Sequence, residues 1–384
     1  MGSQTLEDVR MRYLVLTLTF IFAVSCSSLL KYRGSREEFK NAEFEQKVTI
    51  LDAEEVKDEK TKLDNSTSLQ PNNSVSATSE VKAKSETNTK PKDVTPVKNT
   101  AVTKATTKTK AKSKSTSATS KNELVESSAP AVRQPEVEDS EGFDNKRRPL
   151  VDPFRVGEVV EHEVSYLGAT AGVIQFKVKP HAVVNGRKSY NFFIDLKSNS
   201  FFSRVYAVDD QVQTYVDYET LVPHVFKLNI RDSGQVKEAQ SYFDNVNLKA
   251  DYWEHRFTEK NGHEEKKSNW SILPYSQNPF SAVFYMRVFK WVVGKEYVFR
   301  VADDEKNVTF KAKALEKTVL NTDAGKFNAI KLKAEVHSRG NLAKATDFYM
   351  WISDDDRKYI LRIEVKLPIG SLVSEAVDIE EGKP

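Results

Sequence analysis

The sequence predicts a mainly β protein: one antiparallel curved sheet, barrel-like or a sandwich, with a single packed helix, preceded by a long disordered tether. Three observations lead there. Of the chain's 39 aromatic residues, 33 lie from Phe143 onward, and none falls between Phe44 and Phe143. A segment without large apolar side chains cannot offset the roughly 1–2 kcal/mol per residue that backbone ordering costs, so the chain has one core. From about residue 150 apolar residues recur at every second position, the period of a half-buried strand. One stretch there, PYSQNPFSAVFYMRVFKW, switches to helical spacing.

In chain order, Arg10 and Arg12 precede YLVLTLTFIFAV, and the apolar run ends in the small residues Ala23 and Ser25. Charged, apolar, small is the order of a secretory signal, and the run falls short of the roughly 20 residues that a membrane-spanning helix needs. Met11 is the more natural start of such a signal. Ala23-Val24-Ser25-Cys26 resembles the bacterial lipoprotein signal, whose cleavage leaves the cysteine as first residue, acylated on its sulfur and its amine. The resemblance makes residues 1–25 a signal peptide and Cys26, the single cysteine, a lipid attachment point. Several acyl chains, at about 0.8 kcal/mol per buried methylene, make a stable anchor. An uncleaved anchor and ordinary cleavage near Ser25 are the alternatives. A lone cysteine excludes an internal disulfide, and no Cys/His zinc spacing is present.

Residues 26–148 are expected to be the tether. Within residues 36–62, Phe39, Phe44, Val48, Leu51 and Val56 have a loose helical spacing among many charges. From about Thr61 to Arg148 the chain is Ser, Thr, Lys, Ala, Pro and Asn with almost no apolar clustering. Between Val81 and Lys121 eleven lysines stand against two acids, which suits weak contact with an anionic cell-wall polymer. No aromatic is interleaved there for stacking on bases, and the net charge is only +3; both argue against nucleic acid as a partner.

Residues 149–384 are the expected β domain. In YILRIEVKLP, Leu361, Ile363, Val365 and Leu367 share one face and Arg362, Glu364 and Lys366 the other. Ile174, Phe176 and Val178 repeat the pattern, as do Ile330, Leu332, Ala334 and Val336. In DFYMWIS, Phe348, Met350 and Ile352 alternate with Tyr349 and Trp351, which predicts cover on both faces. Short turn signals separate the runs: Asn185-Gly186, Ser233-Gly234, Asn261-Gly262, Ala324-Gly325 and Asp354-Asp355-Asp356. About a dozen strands joined this tightly must pair antiparallel. The exception is the helix, with Asn278 as N-cap and Pro279 at its first position, expected to plug one side of the sheet.

FRVGEVVEHEVSYLGATAG, NPFSAVFYMR, TDAGKFNAIKL and MWISDDDRKYILRIEV, in that order, resemble the bacterial exported family called domain of unknown function 3108 over most of residues 150–380. The resemblance implies an exported or lipoprotein-like β protein and brings no activity with it.

Candidate sites follow from residue type. Asp354, Asp355 and Asp356 lack calcium-loop spacing and sit where strands must turn, with Arg357 as a counter-charge. His263 lies at a hairpin tip within reach of His255, but two histidines without a third ligand define no metal site, so no metal or other cofactor is expected. No nucleophile elbow or phosphate loop is present. Aromatics exceed what strand alternation needs in FFIDLKSNSFFSRVYAV and AVFYMRVFKWVV, so a groove lined by Phe193, Phe202, Phe284 and Trp291 could hold an acyl chain or apolar peptide; an ordinary core is the plainer reading. The expected function is a lipid-anchored cell-envelope protein on the periplasmic side, at the outer membrane, held to the membrane by its acyl chains. Its β domain is expected to be a non-catalytic binding or structural module with an apolar ligand or an envelope protein as partner. The alternative is an envelope hydrolase acting on glycan or peptide through paired carboxylates.

Overall fold

A computed structural model of the chain describes residues 40–52, 148–338, 341–342, 348–367 and 370–383. The signal segment, Cys26 and residues 53–147 lie outside the described residues.

The expected antiparallel curved sheet is what forms. Its central ladders are β2 (Val156–Tyr166), β3 (Ala169–Val184), β4 (Arg187–Ser198), β5 (Asp209–Asp217), β6 (Pro223–Asp232), β7 (Gln235–Asp244), β8 (Lys249–Thr258) and β9 (Gly262–Ser271), each beside the next. The remainder runs β10 (Glu296–Asp303), β11 (Lys306–Thr322), β12 (Gly325–Ser338), β14 (Phe348–Ser353), β15 (Ile360–Lys366) and β16 (Ser371–Lys383), with the two-residue β13 (Asn341–Leu342) beside β12. A ladder between β16 and β2 joins the two halves into one sheet with β10 and β9 at its edges. Tight turns at the expected dipeptides set each register: Asn185 and Gly186 both have positive φ, 49° and 78°, as a two-residue hairpin turn requires. Six of the pairings carry a register shift, and each such bulge adds local twist and curvature.

Alternation decides which face is buried. Ile174, Phe176 and Val178 turn inward, as do Ile330, Leu332 and Ala334 and, on β15, Leu361, Ile363 and Val365. On β14, Met350 and Ile352 face the core, while Trp351 on the other face is covered by the cationic groups of Lys331 and Arg362, 5.1 and 5.3 Å from its ring. Both faces of that strand are therefore covered, as the sequence predicts.

Helix α2 (Pro279–Tyr285) begins at Asn278, whose side chain accepts from the backbone of Phe280 and Ser281, and a 3-10 turn (Met286–Val288) continues it. The link from β9 to β10 must cross from one sheet edge to the other, and it carries this helix over the concave face. Its Ala282, Phe284 and Tyr285, and Met286, Val288 and Phe289 after it, are all buried. The same link covers part of the free edge of β10, where the Gln277 N–H donates to the Arg300 carbonyl and the Ala302 N–H to the Gln277 carbonyl, each at 2.8 Å.

An ion pair and a histidine lie inside this apolar core. Arg287 grips Glu158 with both guanidinium nitrogens, at 2.6 and 3.1 Å, and each side chain is 1% exposed. Arg357 bonds the same carboxylate and, like Arg287, donates to the Pro153 carbonyl. His162 is fully buried, 2.8 Å from the Ile360 carbonyl and 3.0 Å from Ser374 Oγ, and burial pulls its pKa down to about 4. The unfolded ring titrates near 6.5, so below that pH protons favour the unfolded chain. The contribution of His162 is complete above pH 6.5 and declines by about 3 kcal/mol as the pH falls to 4. Titration of the ring by NMR should show it neutral at pH 5.

One part of the expected tether belongs to the fold. Helix α1 (Ala42–Lys47), capped by Asn41, buries Phe44 against Trp253, and β1 (Ile50–Asp52) pairs with the end of β3 that extends past β2. Phe44 and Val48 supplied too few apolar positions to predict docking; the tether boundary at residue 26 is corrected accordingly for residues 40–52.

Candidate functional site

The four aromatics of the expected groove do not line one surface. Phe284, 1% exposed, stacks on Phe192 with ring centres 4.2 Å apart and planes 6° from parallel, within the core under α2. Trp291 is buried beside Tyr297 and donates its indole N–H to the Met286 carbonyl. Phe193 points to the opposite face of β4 from Phe192 and lies under the Lys179 ammonium, 3.7 Å from its ring. Phe202 is in the single-turn 3-10 segment between β4 and β5, edge-on to Phe201. The groove reading fails because alternation along β4 separates Phe193 from the other face, and because the helix packs down on Phe192.

The aspartate turn behaves as turn chemistry predicts. Asp355 accepts from Ser353 Oγ and from the backbone of Arg357 and Lys358, and Asp354 pairs with Lys317 at 2.6 Å. Arg357 is not their counter-charge: it turns inward to Glu158. His255 does reach His263 across the β8–β9 hairpin, Nε2 to Nδ1 3.2 Å, with the rings 10° from parallel. Among the described residues no group of three metal-ligating side chains converges.

A different cluster emerges on the convex face. On β15, β16 and β2, Arg362 lies directly across from Glu375, and Glu375 directly across from Glu163. Arg362 Nη1 bonds Glu375 Oε2 at 3.0 Å, and Thr170 donates to Glu163 Oε1 at 2.8 Å. The row floors a polar groove of about 420 Å³ walled by Leu167 and Gly168 at the β2–β3 turn, Ser165, Ser371, Val373, and Asp323 at the β11–β12 turn. Like charges directly opposite on paired strands destabilise a sheet by roughly 0.2–1 kcal/mol. Stability alone therefore does not explain Glu163 facing Glu375. Three carboxylates against one guanidinium leave the groove with a formal charge of about −2, suited to a cationic or hydroxyl-rich ligand.

A second polar cluster sits on β7–β9. Lys237 pairs with Glu254 at 2.7 Å, Tyr252 donates to Glu254, and Lys266 pairs with Asp304 at 2.6 Å. Neighbouring Asp303, at the β10–β11 turn, is lifted to about 6, first by burial and then by Asp304. Lys266 ties the sheet edge at β9 to the β10–β11 hairpin.

A family model described as Protein of unknown function (DUF3108) matches residues 161–377. The chain belongs to this family. The DUF3108 match spans β2 to β16 and so includes both glutamates of the groove. No curated protein matches the chain. Among solved structures, a β-barrel-like protein of domain of unknown function DUF1849 from Brucella abortus aligns with a TM-score of 0.38 at 9% identity, covering 59% of this chain and 98% of that one. A protein described provisionally as exported, with a YmcC-like fold, from Bacteroides fragilis aligns with a TM-score of 0.28 at 9% identity, covering 60% of this chain and 98% of its own. A provisionally described lipoprotein from Parabacteroides distasonis does so with a TM-score of 0.28 at 11% identity, covering 60% and 99%.

Proposed function

We propose that the chain is a cell-envelope protein, lipid-anchored through Cys26 on the periplasmic side of the outer membrane, whose β domain is a binding module. Its contact surface is the groove over Glu163 and Glu375, and its ligand carries an amine. The observation that supports this is the pair of facing carboxylates, only one of which is bonded to Arg362. A charge-assisted hydrogen bond to an ammonium contributes about 1.5–3 kcal/mol, so each of Glu163→Gln and Glu375→Gln should weaken binding of a lysine-bearing peptide by about tenfold or more. Calorimetric titration of the mature chain measures this; equal affinity in the double variant would refute the site. The anchor is tested separately: Cys26→Ser should move the protein from the membrane to the soluble fraction, and unchanged membrane retention would refute acylation there.

The hydrolase reading also has an observation in its favour. Directly opposed residues hold their Cβ atoms about 4.5–5.5 Å apart, which lets two carboxyl groups approach the roughly 5–5.5 Å spacing used by retaining glycosidases. Release of soluble fragments from purified cell-wall glycan, abolished in Glu163→Gln while peptide binding persists at a lower level, would favour hydrolysis over binding alone.

A further inference from the structure

We propose that residues 41–52 are a non-covalent clasp that holds the amino-terminal leash directly on the β domain, so that residues 53–147 begin and end on that domain instead of separating it from its anchor. The docking surface is built for this segment. Asn185, at the β3–β4 turn, makes three bonds to it: its amide accepts from the Thr49 backbone at 2.8 Å and donates to the Lys47 carbonyl at 2.9 Å, and its own backbone N–H donates to Thr49 at 3.0 Å. Phe44, 3% exposed, meets Trp253 edge-on at 6.0 Å, and the Trp253 indole donates to Glu43. Lys47 pairs with Asp251 and Lys267 with Glu43. Ile50, Leu51 and Asp52 then pair with Val184, Val183 and Ala182, which occupies a stretch of β3 that β2 leaves open.

The two ends of the 53–147 segment are close. Asp52 pairs with Ala182, Ala182 with Ser189, and Ser189 with Asp217, while Arg148 bonds the carbonyl of Tyr218 at 2.8 Å. Three ladder steps of roughly 4.8 Å set Asp52 about 15 Å from Asp217, whose neighbour Tyr218 the Arg148 side chain reaches. What lies between Cys26 and the clasp is residues 27–40, fourteen residues that span at most about 50 Å. This bound on height above the membrane rests on the acylation of Cys26; the clasp itself does not.

The test is a full-length chain carrying an epitope tag and, after it, a protease site, both inserted near residue 107. After cleavage the tag should still precipitate the fragment that contains residues 148–384, and in membranes that fragment should stay with the pellet. Release of the fragment from the precipitate would overturn the clasp. Pellet loss with intact precipitation would instead count against the anchor alone. Phe44→Ala should lower retention about a hundredfold, and an excess of a synthetic peptide of residues 40–52 should displace the native segment without any substitution. Undiminished retention with both would overturn the proposal. Two differently tagged chains, mixed and left uncleaved, should not precipitate one another; co-precipitation would show docking between copies and defeat the closed arrangement.

Discussion

Glu158→Gln should lower the free energy of unfolding by about 3–5 kcal/mol, read as a drop in the urea midpoint with an unchanged slope. Among the described residues the carboxylate is the only anionic side chain bonded to Arg287, and both groups are 1% exposed. Removing one partner of such a pair leaves a charge stranded in a medium of low dielectric, and that penalty exceeds what the intact pair contributes. Arg287 retains the carbonyls of Pro153 and Arg357, which limits the damage without supplying a counter-charge. The network joins the 3-10 turn after α2 to the start of β2 and to the turn between β14 and β15, so the loss should be global. Replacing Arg287 by methionine and Glu158 by leucine together should cost less than Glu158→Gln alone, since the fully buried guanidinium is then gone and only Arg357, at 13% exposure, loses its counter-charge. A double variant less stable than the single one would count against this account.

Phe284→Ala is the second large effect, about 3–5 kcal/mol for truncating a buried aromatic with incomplete collapse of the space it leaves. Phe284 touches Phe192 face to face and Phe154 and Phe176 edge-on, so the lost side chain would open a void between sheet and helix. Had this residue lined a ligand groove, its truncation would be nearly neutral for the apo protein. Thermal and chemical denaturation therefore separate a packed core from an open groove at this position, and a change below about 1 kcal/mol would restore the groove.

Local features were readable from the residues in order. Period-two runs and dipeptide turns marked the strands, and Asn278-Pro279 marked the helix start, because those signals act within a few residues. The same alternation could have set Phe193 apart from Phe192, since Phe193 shares its face with Asp195 and Lys197. The groove, in contrast, depends on Glu163 meeting Glu375 across a ladder between strands at opposite ends of the domain, and no short-range pattern encodes that register. Glu158 and Arg287 are likewise 129 positions apart, and each reads in sequence as an ordinary surface charge. Helix α1 is only six residues long and draws its partner, Trp253, from the far side of the chain. Its docking is decided by tertiary contact alone.

The ladder between β2 and β16 also sets an order of events during synthesis. Tyr166 waits for Leu372, made 206 residues later, before the middle of the sheet can be stitched. Growing chains on the ribosome thus present two unfinished half-sheets with bare margins, and the final strand is the zipper that closes them. Pairing across so long a separation forms late and slowly, so the two halves stay unjoined until β16 is in place.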